Sequence, residues 1–201
     1  MESQRAMKKQ GATAQTPQET DKEKMAKAAQ LTLTIYMQDQ TVIGFIYHKE
    51  ERLSDLLNGV SSMQKTRGRF VELHDVTIQH SDGRQEGVAT TYINKATIQL
   101  AATIDGDLAK GIGGKVGAKP YPFVGKLPVP VRVQMPTYIL LGNMHCISRQ
   151  MAWHTLEEKP MFLPLTNVSV CRSDNSHWWK LSFAAVNREK ILSLAELGDT
   201  S

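Results

Sequence analysis

Apolar and polar residues alternate with a period of two from Leu31 onward, which is the pattern of half-buried β-strands. One helical pattern interrupts the alternation at 51–58, where three leucines share a face. The pattern over 31–104 therefore predicts five strands with a short helix between the second and the third. The predicted strands are 31–37, 41–48, 70–79, 87–93 and 96–104, the last two as a hairpin across Asn94 and Lys95.

The second half of the chain repeats this order. The apolar run around Gly44 matches the run around Gly142, and the match continues without a gap from 31–53 onto 129–151. Two further blocks match in the same order: 70–78 with 162–170, and 93–98 with 186–191. The matches indicate an internal duplication. The predicted strands of the second copy are 130–135, 138–147, 161–171, 178–186 and 190–197, with a helix at 148–156.

The duplication divides the chain into four predicted segments. Residues 1–30 form a basic tail, in which a capping-box pattern at Thr16-Pro17-Gln18-Glu19 predicts a short helix from Pro17 to about Gln30. Copies one and two occupy 31–104 and 129–197. The Gly-, Lys- and Pro-rich segment 105–128 is either a linker or a functional loop. The predicted fold is mainly β, a tandem of two small antiparallel five-stranded barrels of the Sm or SH3 type.

The apolar faces of these elements predict the residues that each copy buries. In copy one they are Leu53, Leu56, Leu57, Phe70, Leu73, Val76 and Ile98. In copy two they are Met151, Phe162, Leu165, Val168 and Ile191.

The net charge of +4 lies mainly in 1–30 and 105–128, so the sequence does not indicate a dedicated nucleic-acid-binding face. No apolar run approaches the ~20 residues that cross a bilayer. The start, Met1-Glu2-Ser3-Gln4-Arg5, lacks the apolar core of a signal peptide. We therefore expect a cytoplasmic protein without a membrane partner, in which Cys146 and Cys171 are free thiols.

Three motifs carry a family resemblance: ERLSDLLN at 51–58, FLPLTNV at 162–168 and INKATI at 93–98. They resemble an uncharacterised family of small bacterial β-domains, a domain of unknown function with an ERLSDLLN-like helix, an FLPLTDV-like strand and a terminal VNK-x-x-I hairpin. Copy one departs from the strand motif at Glu72 and His74, and copy two replaces the helix motif with RQMAWHTL at 149–156. The resemblance covers both copies and implies the fold and a bacterial origin, but no activity.

Two sets of residues have the types that catalysis or metal binding requires. His145, Cys146, Cys171 and His177 suit zinc, but adjacent residues of a strand point to opposite faces and no Cys-x-x-Cys spacing occurs. Ser54, Asp55, His74 and Asp75 include the types of a hydrolytic triad, but helix capping accounts for the first two. We therefore expect no metal, no cofactor and no catalytic residues.

Two binding surfaces remain as candidates. Trp179, Leu181 and Phe183 share one strand face, so Trp178 is predicted to be exposed beside His177 and Lys180. An exposed tryptophan is a typical contact anchor, although this one could instead cover the seam between the copies. Tyr121 and Phe123 of the 105–128 segment complete the candidate partner-binding set.

The second surface concerns RNA. Asn94-Lys95 and Asn187-Arg188 match the turn that contacts RNA in Sm-type rings, although turn chemistry alone also explains them. An Sm-like protein would use Lys95, Arg188, Lys115 and Lys119. The sequence favours a non-enzymatic interaction or scaffold module that binds a protein partner or forms a homo-oligomer. Sm-like RNA binding is the alternative, and an enzyme with its site between the copies is the third hypothesis.

Overall fold

In the part of the chain that the structure describes, ten β-strands form one antiparallel sheet, which confirms the predicted mainly β class. The computed structural model describes residues 29–48, 52–59, 68–103, 125–149, 151–157 and 160–198. The strands are β1 (Ala29–Tyr36), β2 (Gln40–His48), β3 (Phe70–His80), β4 (Gln85–Asn94), β5 (Leu100–Thr103), β6 (Lys126–Gln134), β7 (Tyr138–Ile147), β8 (Phe162–Arg172), β9 (Trp178–Asn187) and β10 (Ser193–Glu196). Helix α1 (Leu53–Leu57) joins β2 to β3, and helix α2 (Ala152–Glu157) joins β7 to β8.

The strand order is β10-β6-β7-β8-β9-β5-β1-β2-β3-β4, so the sheet ends at β10 and at β4 and does not close on itself. The first half (29–103) contributes the order β5-β1-β2-β3-β4, and the second half (125–198) contributes β10-β6-β7-β8-β9. Strands β3 and β8 both have 11 residues, and β4 and β9 both have 10. We call the junction of β5 with β9 the seam; Leu100 pairs there with Val186, and Ala101 pairs with Ala185.

Both halves bend at the same place, where a glycine faces a β-bulge. The pairing register shifts around Gly44 in β2 and around Gly142 in β7. A Cβ on Gly44 would lie 2.9 Å from Val76 Cγ2, and one on Gly142 would lie 3.2 Å from the facing strand. The facing strands carry Asp75 (φ 47°) and Asn167 (φ 53°) in the left-handed region, which these residue types tolerate. The facing strand therefore approaches closely at both glycines on which the sequence match is centred, and a side chain at either position would force it to shift.

The predicted hairpin across Asn94 and Lys95 is wrong. The Asn94 side chain accepts a hydrogen bond from the Ala96 amide and caps a 3₁₀ helix at Lys95–Thr97. This turn carries the chain away from β4, and β5 then pairs with β1 and with β9. The second half has the same arrangement, with a 3₁₀ helix at Arg188–Lys190 before β10.

Two strands begin earlier than their patterns predict. The predicted N-terminal helix lies outside the described residues except at its end, where Ala29 and Gln30 already belong to β1. Strand β6 begins at Lys126, so the last residues of the predicted 105–128 segment are in the sheet.

Strand β6 contains a proline, Pro130, whose carbonyl faces β10 and accepts a hydrogen bond from the Leu197 amide. Proline is tolerated there because its missing N–H faces away from β7.

The core consists of two apolar clusters that share residues across the seam. Phe162, Phe183 and Ala185 of the second half are buried in the cluster of the first half, and Leu100 of the first half is buried in the other. Nine of the predicted core residues are buried: Leu53, Leu56, Leu57, Leu73, Val76, Ile98, Phe162, Leu165 and Val168. Ile191 is half-buried. The prediction is wrong for Phe70 and Met151, which are 46% and 56% exposed because they lie at the outer ends of the sheet.

Candidate functional site

Three aromatic side chains close the seam on one side. The Tyr36 ring lies 5.7 Å from that of Tyr138 and 5.9 Å from that of Trp179, measured between centroids. The Tyr138 hydroxyl donates to the Met37 carbonyl across the seam. Burial raises the pKa of both tyrosines, so they remain neutral hydrogen-bonding groups. Of the two adjacent tryptophans, Trp179 therefore covers the junction between the halves.

Asparagine and glutamine side chains also join the two halves across the seam. The Asn187 side chain is fully buried and donates to the carbonyls of Lys95 and Ile98, at 3.2 and 2.8 Å. Asn58, after helix α1, donates to the Phe162 carbonyl at 3.0 Å and accepts from the Phe162 amide at 2.9 Å. Buried amides that are satisfied in this way fix the relative position of the two halves.

A further pair completes the seam. The Gln99 side chain donates to the Thr137 hydroxyl at 2.9 Å and accepts from the Thr137 amide at 3.1 Å. Asn58, Gln99 and Asn187 are absent from the candidates predicted from the sequence. The local pattern explains Asn58 and Asn187 as helix-stop and turn residues, and it carries no signal for contacts about a hundred positions away.

Trp178 is 43% exposed at the start of β9, on the face opposite Trp179. Lys180, on the same strand face, and His177, just before the strand, are also exposed. Asn175 holds the turn before the strand, because its side chain accepts a hydrogen bond from the His177 amide at 2.8 Å. The result is an exposed indole beside a cation on a regular strand. Tyr121 and Phe123, the other candidate partner-binding residues, lie outside the described residues.

Two of the candidate RNA-binding residues, Lys95 and Arg188, do not offer a solvent-exposed charge. Lys95 is only 5% exposed, and burial lowers the pKa of its ammonium group. The Arg188 guanidinium is half-buried and donates to the Leu156 carbonyl at 3.1 Å. A phosphate backbone requires solvent-facing cations, which neither position supplies. Lys115 and Lys119 lie outside the described residues.

The candidate metal ligands are dispersed. Among the described residues, no group of three or more His, Cys, Asp or Glu side chains is close enough to hold an ion. Cys146 and Cys171 are buried free thiols, and Cys171 Sγ lies 3.0 Å from the Asn175 carbonyl. His145 hydrogen-bonds the Thr166 hydroxyl at 2.9 Å, and burial, with a smaller effect of Lys126, lowers its pKa.

The residue types of the hydrolytic triad have other roles. Ser54 is buried within helix α1, and Asp75 adopts the left-handed conformation of the bulge. His74 Nδ1 lies 3.4 Å from the Thr90 hydroxyl, and its Nε2 lies 3.8 Å from the Glu72 carboxylate. These contacts join His74 to neighbouring residues of β3 and β4.

A polar cleft of about 430 Å³ lies between the turns that follow β3 and β8. The charged side chains that line this cleft pair with each other or with nearby residues. Arg172 forms an ion pair with Asp174 at 3.1 Å, and His80 lies 3.2 Å from Glu86. Turn stabilisation accounts for these pairs without a ligand.

Comparison of the chain with protein-family models, curated proteins and solved structures finds no match. None of the helices in the described ranges has the length and apolar character that a bilayer-spanning helix requires.

Proposed function

We propose that the protein is a non-enzymatic interaction or scaffold module built from two copies of one small β-barrel unit, and that it binds a protein partner through Trp178. The exposed indole carries this proposal. Tryptophan is among the residues that contribute most to protein interfaces, because desolvation of its large rigid ring favours binding. His177 and Lys180 would form part of the polar rim around that contact.

The duplication is supported by features that recur at matching positions in the two halves. The same strand order, a glycine opposite a left-handed bulge residue, and an asparagine-capped 3₁₀ helix occur in each. The second half differs from the first at the binding position. Gln85 stands in β4 where Trp178 stands in β9, so the proposed partner distinguishes the two halves.

Sm-like RNA binding is the second candidate function, and the net charge of +4 favours it. The burial of Lys95 and the engagement of Arg188 weigh against specific recognition at those turns. Cations without stacking or base-edge contacts give weak, salt-sensitive binding through counterion release.

Partner recovery tests the proposal directly. We expect the tagged chain to recover a protein from native lysate equally with and without nuclease. Trp178→Ala should abolish the recovery, since loss of an interface hot spot weakens binding by about 2 kcal/mol or more. The matched control is Gln85→Ala, an exposed residue at the corresponding position of the other half, which should leave recovery unchanged.

RNA affinity across a salt series separates the two functions. We expect weak binding that disappears near physiological salt. Tight binding that persists at high salt and falls with Arg188→Ala would establish the Sm-like function instead. Recovery that is unaffected by Trp178→Ala would show that the indole is not the contact.

A further inference from the structure

The exposed apolar side chains concentrate at the two outer ends of the sheet. Nine large apolar residues are exposed among the described residues, and Trp178 alone lies away from these ends. The edge formed by β3 and β4, here called the β4 edge, carries Phe70, Val88 and Tyr92. The edge formed by β10, β6 and α2, here called the β10 edge, carries Leu127, Met151, Trp153, Leu192 and Leu197. Apolar groups gathered at sheet ends indicate contact surfaces.

The β4 edge corresponds to the part of the second half that the seam covers. Phe162 is fully buried at the seam, whereas Phe70, at the matching position of β3, is 46% exposed. Ala185 is fully buried against β5, whereas Tyr92, at the matching position of β4, is 63% exposed. The first half therefore presents to solvent the surface that the second half buries against its neighbour.

The β10 edge corresponds to the part of the first half that the seam covers. Gln99 is 1% exposed and Leu100 is fully buried, whereas the matching residues Leu192 and Ser193 are exposed. Helix α1 packs against β8 across the seam, and Leu53 within it is fully buried. Helix α2 lies beside β10, where the Glu196 side chain accepts a hydrogen bond from the Ala152 amide, and Trp153 within the helix is 52% exposed.

The backbone of both outer strands is suited to pairing. Residues 90–94 of β4 and 193–195 of β10 contain no proline and no charged side chain, the features that usually block an open edge. Asn94 caps its 3₁₀ helix as Asn187 does, but its Nδ2 has no hydrogen-bond acceptor within the described ranges. The Asn187 Nδ2 bridges the seam at the matching position.

We infer that chains associate head to tail, with the β4 edge of one copy against the β10 edge of the next, in repetition of the seam. The matching positions give the register: Ile93 opposite Ser193, and Tyr92 opposite Leu194. The interface is heterologous, so each chain keeps one edge of each kind available for a further copy. This inference goes beyond partner binding through Trp178 and uses different surfaces.

The contact between chains should be weaker than the seam. The aromatic residues Tyr36, Tyr138 and Trp179 of the seam correspond to Gln134, Gln40 and Glu86 at the outer edges. The contact between chains therefore buries less apolar surface, and no covalent connection raises the effective concentration of its two sides. Association should accordingly depend on protein concentration.

Two blocking variants test the direction of association. Phe70→Lys places a charge where the β4 edge would be buried. Leu192→Asp places a carboxylate where the neighbouring copy presents Asp39, the counterpart of Thr137. Both positions are exposed in the single chain, so the fold should be retained. We expect the mass of the unmutated chain, by sedimentation or light scattering, to rise above 22.4 kDa with concentration, while each variant remains at 22.4 kDa.

An equimolar mixture of the two variants gives the decisive result. The Phe70→Lys chain keeps its β10 edge and the Leu192→Asp chain keeps its β4 edge, so one chain of each kind can pair. The mixture should therefore reach twice the mass of one chain and stop there. Thr32→Lys, an exposed change on the central strand β1, is the control and should associate as the unmutated chain does. A constant 22.4 kDa for the unmutated chain at every concentration would overturn the inference. Association of either variant alone, or a mixture that stays at 22.4 kDa, would also overturn it.

Discussion

Phe162→Ala is expected to lower the free energy of unfolding by about 3–5 kcal/mol, the usual cost of truncating a buried phenylalanine. Phe162 is fully buried: it belongs to the second half by sequence and lies in the apolar cluster of the first half. Its removal therefore leaves a cavity at the seam. A loss of this size is a large part of the stability of an ordinary domain. Chemical denaturation at low protein concentration measures it.

Phe70→Ala is the matched control. The two phenylalanines are the first residues of the corresponding strands β3 and β8, but Phe70 is 46% exposed. Its truncation removes little buried area and should cost about 1 kcal/mol or less. Equal losses for the two variants would contradict the placement of Phe162 at the seam.

Asn187→Ala is expected to cost about 2–4 kcal/mol. The substitution removes the only donor found for the Ile98 carbonyl among the described residues, and an unsatisfied buried group costs about 1–3 kcal/mol. It also removes the acceptor for the Glu189 amide, an N-cap bond that contributes about 1 kcal/mol. Thermal or chemical unfolding at neutral pH checks the loss.

Asn94→Ala separates these two contributions. Asn94 caps its 3₁₀ helix in the same way, but it lies at the outer edge, where no second half covers it. This variant should lose only the capping contribution of about 1 kcal/mol. A loss as large as that of Asn187→Ala would show that the bonds across the seam add nothing to stability.

The sequence predicts what depends on local pattern. Alternation of apolar residues predicts the strands, and the runs around Gly44 and Gly142 mark the point where both halves bend. The alternation at Trp178 and Trp179 also predicts which ring is exposed. Each of these features depends on residues near in the chain or on the facing strand.

The features that the sequence does not predict depend on which part of the molecule packs against each residue. Phe70 and Phe162 have the same residue type and matching positions, yet only the second is covered by the other half. Lys95 fits a basic turn by its local pattern but is only 5% exposed, and its carbonyl accepts a hydrogen bond from Asn187 of the second half. The hairpin across Asn94 is predicted wrongly because the cap on Ala96 redirects the chain toward β1.

The seam is the feature on which both the stability predictions and the association of chains depend, and cleavage of the connection between the halves tests it most directly. A protease site placed between Thr103 and Gly125 would allow the chain to be cut under native conditions. The two fragments should elute together at the position of the intact chain and unfold in one transition, because the clusters and hydrogen bonds on either side of β5 and β9 hold them. Fragments that separate into two folded species after cleavage would contradict the claim that the contacts across the seam hold the two halves together.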